Sequence, residues 1–475
     1  MTTSYEQVLD GERRGILVGA LAFAASAAIP GTAPAVTPAR PVRKSIEMLT
    51  SDELRTLEGA IAEMMARSKK DIRDPKGWFM NAESHNEFCA QPGIGGANQI
   101  HYCYWFLPWH RAFLAVTERK LREIANDSSL AFPYWNWSAA RSIPDRFSRP
   151  ESPLSASVRY TPKRALADGE VDLFVNDPIK KALVVAALGA SKFVANPQTD
   201  PVKLARELAD SFGGLPRPNA LGRFGNSRLE GTPHGPIHNY VGGQDENTGA
   251  VGDMGDFETA ARDPIFFAHH GNLDRLWENW RGRGSNRELE PKDKTFLSHP
   301  FSFPWLDGST VQVTVAETLD LDSMGYQYDT LEVSQTAPAG EFKLEGFSPK
   351  TLPPILQADV ALPLTPEAAN GAPRRYVLLL EGVRSPRRPL TAGVYVSPAS
   401  SGGNEVRILV GNISVVPSGG KYSDLDGVLV FDITAAVGVL KTPQLKVLVI
   451  PNSLGGEERR PVKALAFRRA RVIWT

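Results

Sequence analysis

The sequence predicts a multi-domain chain: a mainly α-helical region followed by an all-β C-terminal sandwich or barrel. Three observations carry that reading. Apolar residues recur every three or four positions through the first two-thirds, short β-branched runs separated by turn residues replace them after about Ser334, and a Pro-rich connection divides the two textures. A chain of 475 residues, 42% of them hydrophobic, suits two or three domains at roughly 150 residues each.

At the N-terminus, Arg13-Arg14 precede an apolar run from Ile16 to Ala25, with small residues at Ala25-Ser26-Ala27 and Ala33-Pro34-Ala35. This is the pattern of a twin-arginine export signal, which would make the protein periplasmic or secreted. The alternative is a disordered Ala/Pro-rich tail on a cytoplasmic protein, so residues 1–40 are set apart from the fold. The run is too short to span a bilayer, and no later stretch reaches roughly 18 apolar residues, which excludes stable membrane insertion by a helix.

The helical texture begins with Leu54, Leu57, Ile61 and Met64 behind a Ser51-Asp52 cap signal. It recurs at Phe113 to Ile124, Ile179 to Val194, Pro201 to Phe212 and Pro264 to Trp280, with Gly/Pro-rich loops at Gly213 to Gly225 and Gly242 to Gly255. Beyond Ala337-Pro338-Ala339-Gly340 and Pro349 to Pro354, strands are expected at Tyr376 to Leu380, Val394 to Val396, Val406 to Val410, Val428 to Ile433, Leu445 to Ile450 and Ala464 to Trp474. The organisation expected is therefore a tail (1–40), a helical domain (41–335), a linker (336–373) and a β domain (374–475).

Lys+Arg and Asp+Glu each number 53, leaving no net charge and no clustered basic face, which argues against nucleic acid as a partner. Two cysteines, Cys89 and Cys103, are too few for a disulfide scaffold or a multi-thiolate metal site. Histidine is the informative residue. Seven of the eight fall between 85 and 270, as His85, His101 and His110, then His234, His238, His269 and His270.

His234 and His238 stand four apart, so a helix would present both on one face. That spacing alone is more often a packing pair than a metal site. His110 and His270, however, sit in aromatic, water-excluding sequence, where an imidazole needs a partner. Position 235 lacks the Glu of a His-Glu-x-x-His protease, and no Glu-x-x-His offers di-iron carboxylates. All-nitrogen ligation favours zinc or copper, and two groups of imidazoles without a carboxylate suit a redox-active copper pair better than a hydrolytic clamp.

The string His101-x4-Phe106-Leu107-x-Trp109-His110-Arg111-x2-Leu114-x3-Glu118 resembles the first copper signature of the tyrosinase and polyphenol oxidase family. Asp263-Pro264-x-Phe266-Phe267-x2-His270-x3-Asp274 resembles its second. Phe132-Pro133-Tyr134-Trp135-Asn136-Trp137, Trp305-Leu306-Asp307 and Gly325-Tyr326-x-Tyr328 extend the likeness over about residues 50–335, and the β region resembles the family's shielding domain.

The resemblance implies a four-helix bundle holding two copper ions. It makes His85, His101 and His110 the ligands of one copper and His234, His238 and His270 those of the other, with His269 packing beside them. His299 is expected on the surface. Cys89 matches the position of a cysteine joined by a thioether to the second histidine, here His101; a free thiol and a Cys89–Cys103 disulfide are the alternatives. Phe257 matches a gate residue and Glu230 a carboxylate that holds a water. Gly235 and Asn239 match the positions that influence monophenol hydroxylation, while Asp274 and Arg275 are candidates to hydrogen-bond ligand imidazoles and anchor helices.

The same resemblance implies an oxidoreductase that converts o-diphenols (catechols) to o-quinones and reduces dioxygen to water, with weak monophenol hydroxylation. A phenolic substrate and dioxygen are the partners implied, and a copper-delivery helper would be a further one. The rival readings are an o-aminophenol oxidase on the same site and a hemocyanin-like oxygen carrier.

Overall fold

The computed structural model describes residues 40–89, 100–101, 105–155, 157–163, 165–166, 171, 229, 233–245, 247–282, 294–332, 356–362, 376–383, 390–399, 407–415, 427–451 and 467–474. These belong to one compact unit, Arg40–Thr475. The N-terminal signal or tail and the helices expected at 179–194 and 201–212 lie outside the described residues. So does the loop expected at 213–225. No helix among the described residues is long and apolar enough to cross a membrane.

Helix α1 (Ser51–Lys70) starts one residue earlier than its cap signal suggested. Thr50 is the cap, its hydroxyl accepting from the Glu53 amide while Glu53 reaches back to the Thr50 amide. Leu54, Leu57, Ile61 and Met64 are its buried stripe. Helix α2 (Trp78–Cys89) follows, and α3 (Phe106–Ala125) tolerates Pro108 because the first turn has no intrahelical partner for that amide. Asn126 closes α3 in the left-handed conformation. After α4 (Gly235–Gly242), helix α5 (Ile265–Arg281) begins where the buried Asp263 accepts from the Ile265 amide.

Strand β1 (Val42–Arg43) pairs in parallel with β4 (Gln327–Tyr328), and β2 (Pro300–Pro304) pairs antiparallel with β3 (Thr310–Thr314). The remaining strands are β5 (Leu356–Ala361), β6 (Tyr376–Val383), β7 (Leu390–Pro398), β8 (Ile408–Val415), β9 (Gly427–Asp432), β10 (Gln444–Pro451) and β11 (Arg469–Trp474). They form two antiparallel sheets, ordered β5-β10-β7-β8 and β11-β6-β9. Val447 opposite Val396 and Val449 opposite Val394 set the inward face of the first sheet. One expectation changes: residues 336–373 are not linker throughout, because Leu356–Ala361 is a strand paired along β10. Its alternation is short and flanked by Pro, which hid it as connection.

Buried apolar residues fall into two clusters. One runs from Ile46 to Tyr326 through α1–α5, and the other from Val360 to Val472 in the sheets. The first is pinned by a buried ionic group. Arg43 reaches both Glu118 oxygens at 2.8 and 2.9 Å and Asp274 at 3.0 Å, and its guanidinium lies 3.5 Å over the Tyr326 ring. Asp274 also accepts from Arg111 at 2.5 Å, Tyr326 at 2.5 Å and Tyr328 at 2.6 Å. Burial alone would raise the Asp274 carboxyl, but the guanidiniums of Arg111 and Arg43 bring it below its usual range. Thus α3, α5, β1 and β4 meet at one carboxylate.

Replacing Asp274 with Ala leaves Arg43 and Arg111 buried without their shared anion, at an expected cost of about 3–5 kcal/mol. Urea denaturation checks it, and a loss below about 1 kcal/mol would show that the group is not the anchor.

Candidate metal centre

Each histidine of the first group comes from a different turn of chain. His85 is on α2, His101 precedes α3, and His110 is one turn inside α3. Their ring centroids stand 5.3–5.7 Å apart. In the second group, His234 leads into α4, His238 lies on it, and His269 and His270 lie on α5. The His234–His238 rings are 4.5 Å apart, and His238 Nε2 lies 3.3 Å from His270 Nε2. The groups adjoin, with His110 stacked on His270 at 4.1 Å and an interplanar angle of 3°. Within each group the donor atoms lie within 4.8 Å of one another, so each could hold a metal ion.

Which nitrogen faces inward is decided by main-chain carbonyls. His85 Nδ1 lies 3.0 Å from the Phe257 carbonyl, His110 Nδ1 2.7 Å from that of Phe106 and His238 Nδ1 2.8 Å from that of Met254. A carbonyl only accepts, so each ring donates through Nδ1 and keeps a bare lone pair on Nε2, the form that binds a metal. For His110 this partner is the residue one helical turn back. For His238 it depends on glycine. A Cβ on Gly242 would collide with the Gly255 backbone, and one on Gly252 with the Gly242 carbonyl. Gly243, at φ +59°, passes equally close to Tyr160. These glycines let the 252–255 segment lie against α4 and bring Met254 to His238.

Every imidazole of the two groups is buried, and burial holds each below its ordinary pKa, reinforced for most by the neighbouring rings. His110 is pushed down to about 3 and His238 to about 4. The walls are aromatic: Phe266 packs 4.2 Å from His270 and 4.8 Å from His85. Phe257 stacks on His101 at 4.4 Å.

The sequence-predicted residues are thus partly gathered. Phe257 lies over the first group, and its carbonyl orients His85, a main-chain role that no side-chain pattern signals. Gly235 and Asn239 flank the second group on α4, and Asn239 Nδ2 donates to Thr391 of β7 at 3.1 Å. Asp274 and Arg275 do not serve as partners of ligand imidazoles. Asp274 gives its oxygens to the ionic group, and Arg275 binds Asn272 at 3.0 Å and the Glu332 carbonyl at 2.6 Å. Asp274, four residues on, shares nearly the same face of α5 as His270, but its carboxylate is taken up by Arg43, Arg111, Tyr326 and Tyr328, whereas Arg275 leaves the helix about 140° away. His299 is not a free surface residue but stacks on Trp105 at 4.3 Å. Glu230, Cys103 and the Cys89 side chain lie outside the described residues, and with them the thioether. Sequence reasoning gave no individual role to Trp137, whose indole nitrogen meets His269 at 3.1 Å.

Two adjoining sets of buried imidazoles on a helical scaffold define a dinuclear metal protein as the class to which this fold and site point. Residues 75–283 match the common central domain of tyrosinase. The chain is 31% identical over 306 residues to (+)-larreatricin hydroxylase of Larrea tridentata, covering 62% of this chain and 49% of that one. It is 31% identical over 269 residues to the polyphenol oxidase of Malus domestica, covering 55% and 44%. In fold it is similar to latent apple tyrosinase, with a TM-score of 0.63 at 22% identity over 92% of this chain and 97% of the other. Residues 75–283 thus match a tyrosinase domain, and the chain spans about half the length of those two curated relatives.

The neutral rings give a pH dependence with a definite sign. An unfolded histidine takes up its proton near pH 6.5, whereas His238 and His110, pushed down to about 4 and about 3, stay neutral in the fold well below that. The metal-free protein therefore keeps this contribution above pH 6.5 and loses stability as pH falls below it, by on the order of 1 kcal/mol per pH unit for each ring. Thermal unfolding of metal-free protein between pH 7 and 5 reads it. A flat melting temperature across that window would contradict the burial of neutral imidazoles.

Proposed function

We propose that the chain is a copper-dependent oxidoreductase that oxidises o-diphenols to o-quinones with dioxygen as acceptor. The observation that carries it is the pairing of two imidazole groups with no carboxylate in either, in which main-chain carbonyls leave the Nε2 lone pairs of His85, His110 and His238 bare. His85, His101 and His110 would hold one copper, and His234, His238 and His270 the other. When bound, the pair supplies the two-electron exchange between diphenol and dioxygen.

The chain's own part is to position and to exclude water. The carbonyls of Phe106, Met254 and Phe257 fix ring orientation, and Phe266 and Trp109 keep the first group dry. Phe257, stacked on His101, presents a phenyl ring to an arriving aromatic substrate. Of the two positions after His234 and His238, glycine offers no amide, and the Asn239 amide donates to Thr391. That supports weak hydroxylation of monophenols.

The helical region reads as a four-helix bundle of α2–α5, and the sheets as a separate shielding module. Its support is that β7 reaches α4, the helix of His238, through the Thr391 hydroxyl. The two relatives are chloroplastic by name, which supports targeting out of the cytoplasm.

Copper-loaded protein should carry two coppers per chain and consume oxygen with catechol much faster than with tyrosine, as read by elemental analysis and an oxygen electrode. His238→Ala should retain one copper. A single metal per wild-type chain, or comparable turnover on both phenols, would overturn the respective part of the reading. A protease site placed between residues 336 and 355, ahead of β5, should raise catechol oxidation when cut. Unchanged rates with the module shown to have left would end the shielding proposal.

A further inference from the structure

His269 breaks the rule that its neighbours obey. Its Nδ1 faces the indole Nε1 of Trp137 at 3.1 Å, and an indole N–H can only donate. His269 Nδ1 therefore accepts and carries no proton. The ring is fully buried. With Nδ1 bare, the ring's single proton sits on Nε2. That nitrogen is buried without a hydrogen-bond partner among the described residues. It belongs to a ring 5.2 Å from His238, 5.0 Å from His270 and stacked 5.7 Å from His234. His85, His110 and His238 each point a bare Nε2 inward, whereas His269 is set in the opposite tautomer.

We propose that Trp137 holds His269 as a non-ligating hydrogen-bond donor of the second group, its Nε2–H offered to an anionic oxygen, such as that of a phenolate, held among those histidines. A protonated Nε2 has no lone pair for a metal, so the fourth imidazole of the group cannot close the coordination that substrate needs open. The unmet donor, costly in a dry interior, is satisfied when an anion arrives, so it favours bound over empty. Trp137 is a positioning residue in this scheme, acting through His269. The proposal rests on the two-copper reading above, but the tautomer can be tested without metal.

Nitrogen-15 NMR of the histidine rings in metal-free wild-type protein should show His269 protonated at Nε2 and bare at Nδ1. Trp137→Phe keeps the ring and deletes the donor, so the pattern should reverse or become mixed. In copper-loaded protein, with azide as probe and its binding followed by absorbance, Trp137→Phe and His269→Phe should bind azide roughly tenfold more weakly than wild type. Both should retain two coppers, and His269→Gln, whose amide restores a donor, should recover most of the loss. A wild-type His269 protonated at Nδ1 would overturn the proposal, as would loss of one copper in both His269 variants or azide affinity unchanged within twofold. Should the wild type hold no copper pair, the functional reading falls while the NMR result still decides the tautomer.

Discussion

The constraint on which this structure turns is the cost of placing seven imidazoles where water does not reach. A buried charge is expensive, so the rings must be neutral, and a neutral imidazole has one donor and one acceptor that cannot be exchanged freely once its neighbours are fixed. For His85, His110 and His238 the fold meets the constraint with main-chain partners. Carbonyls of Phe106, Met254 and Phe257 take the Nδ1 protons and leave lone pairs converging, and an indole does the reverse for His269. The chemistry of the centre is thus written in main-chain geometry as much as in histidines.

That geometry needs a rigid frame, which two devices provide. The Arg43–Glu118–Asp274–Arg111 group fixes α3 against α5, and those helices carry the stacked pair His110 and His270. At the other side of the second group, glycines at 242 and 252 allow two backbone segments to approach more closely than any side chain would permit. The first device is electrostatic and works through burial; the second is steric and works through absence of a Cβ.

Much of this was legible in the sequence. The stripe of α1, the extent of α5 within a residue, the end of α3 and most strands come from periodicity, and the two groups of histidines from their spacing, whereas α3 starts seven residues before its expected Phe113. The parts that stayed hidden have common physical causes. Phe257 reads as a wall residue, but its carbonyl acts on His85, and carbonyls leave no trace in residue identity. Asp274 and Arg275, one turn beyond His270, suggested partners for its ring. Asp274 does share the face of His270, but its carboxylate is claimed by Arg43 and Arg111, while helical rotation turns Arg275 towards the Glu332 carbonyl; only the long-range pairing of β1 with β4 brings Arg43 there. Strand β5 was hidden in a Pro-rich stretch because its partner, β10, lies some eighty residues away.

The parallel pairing of Val42–Arg43 with Gln327–Tyr328 has a further consequence. It closes the helical region into a loop whose two ends are buckled side by side, fastened by Tyr134 to Asp329 and by Arg275 to the Glu332 carbonyl. Chain severed anywhere past Glu332 leaves that buckle shut. The helices that hold the histidines therefore stay fastened to one another whatever happens to the downstream sheets.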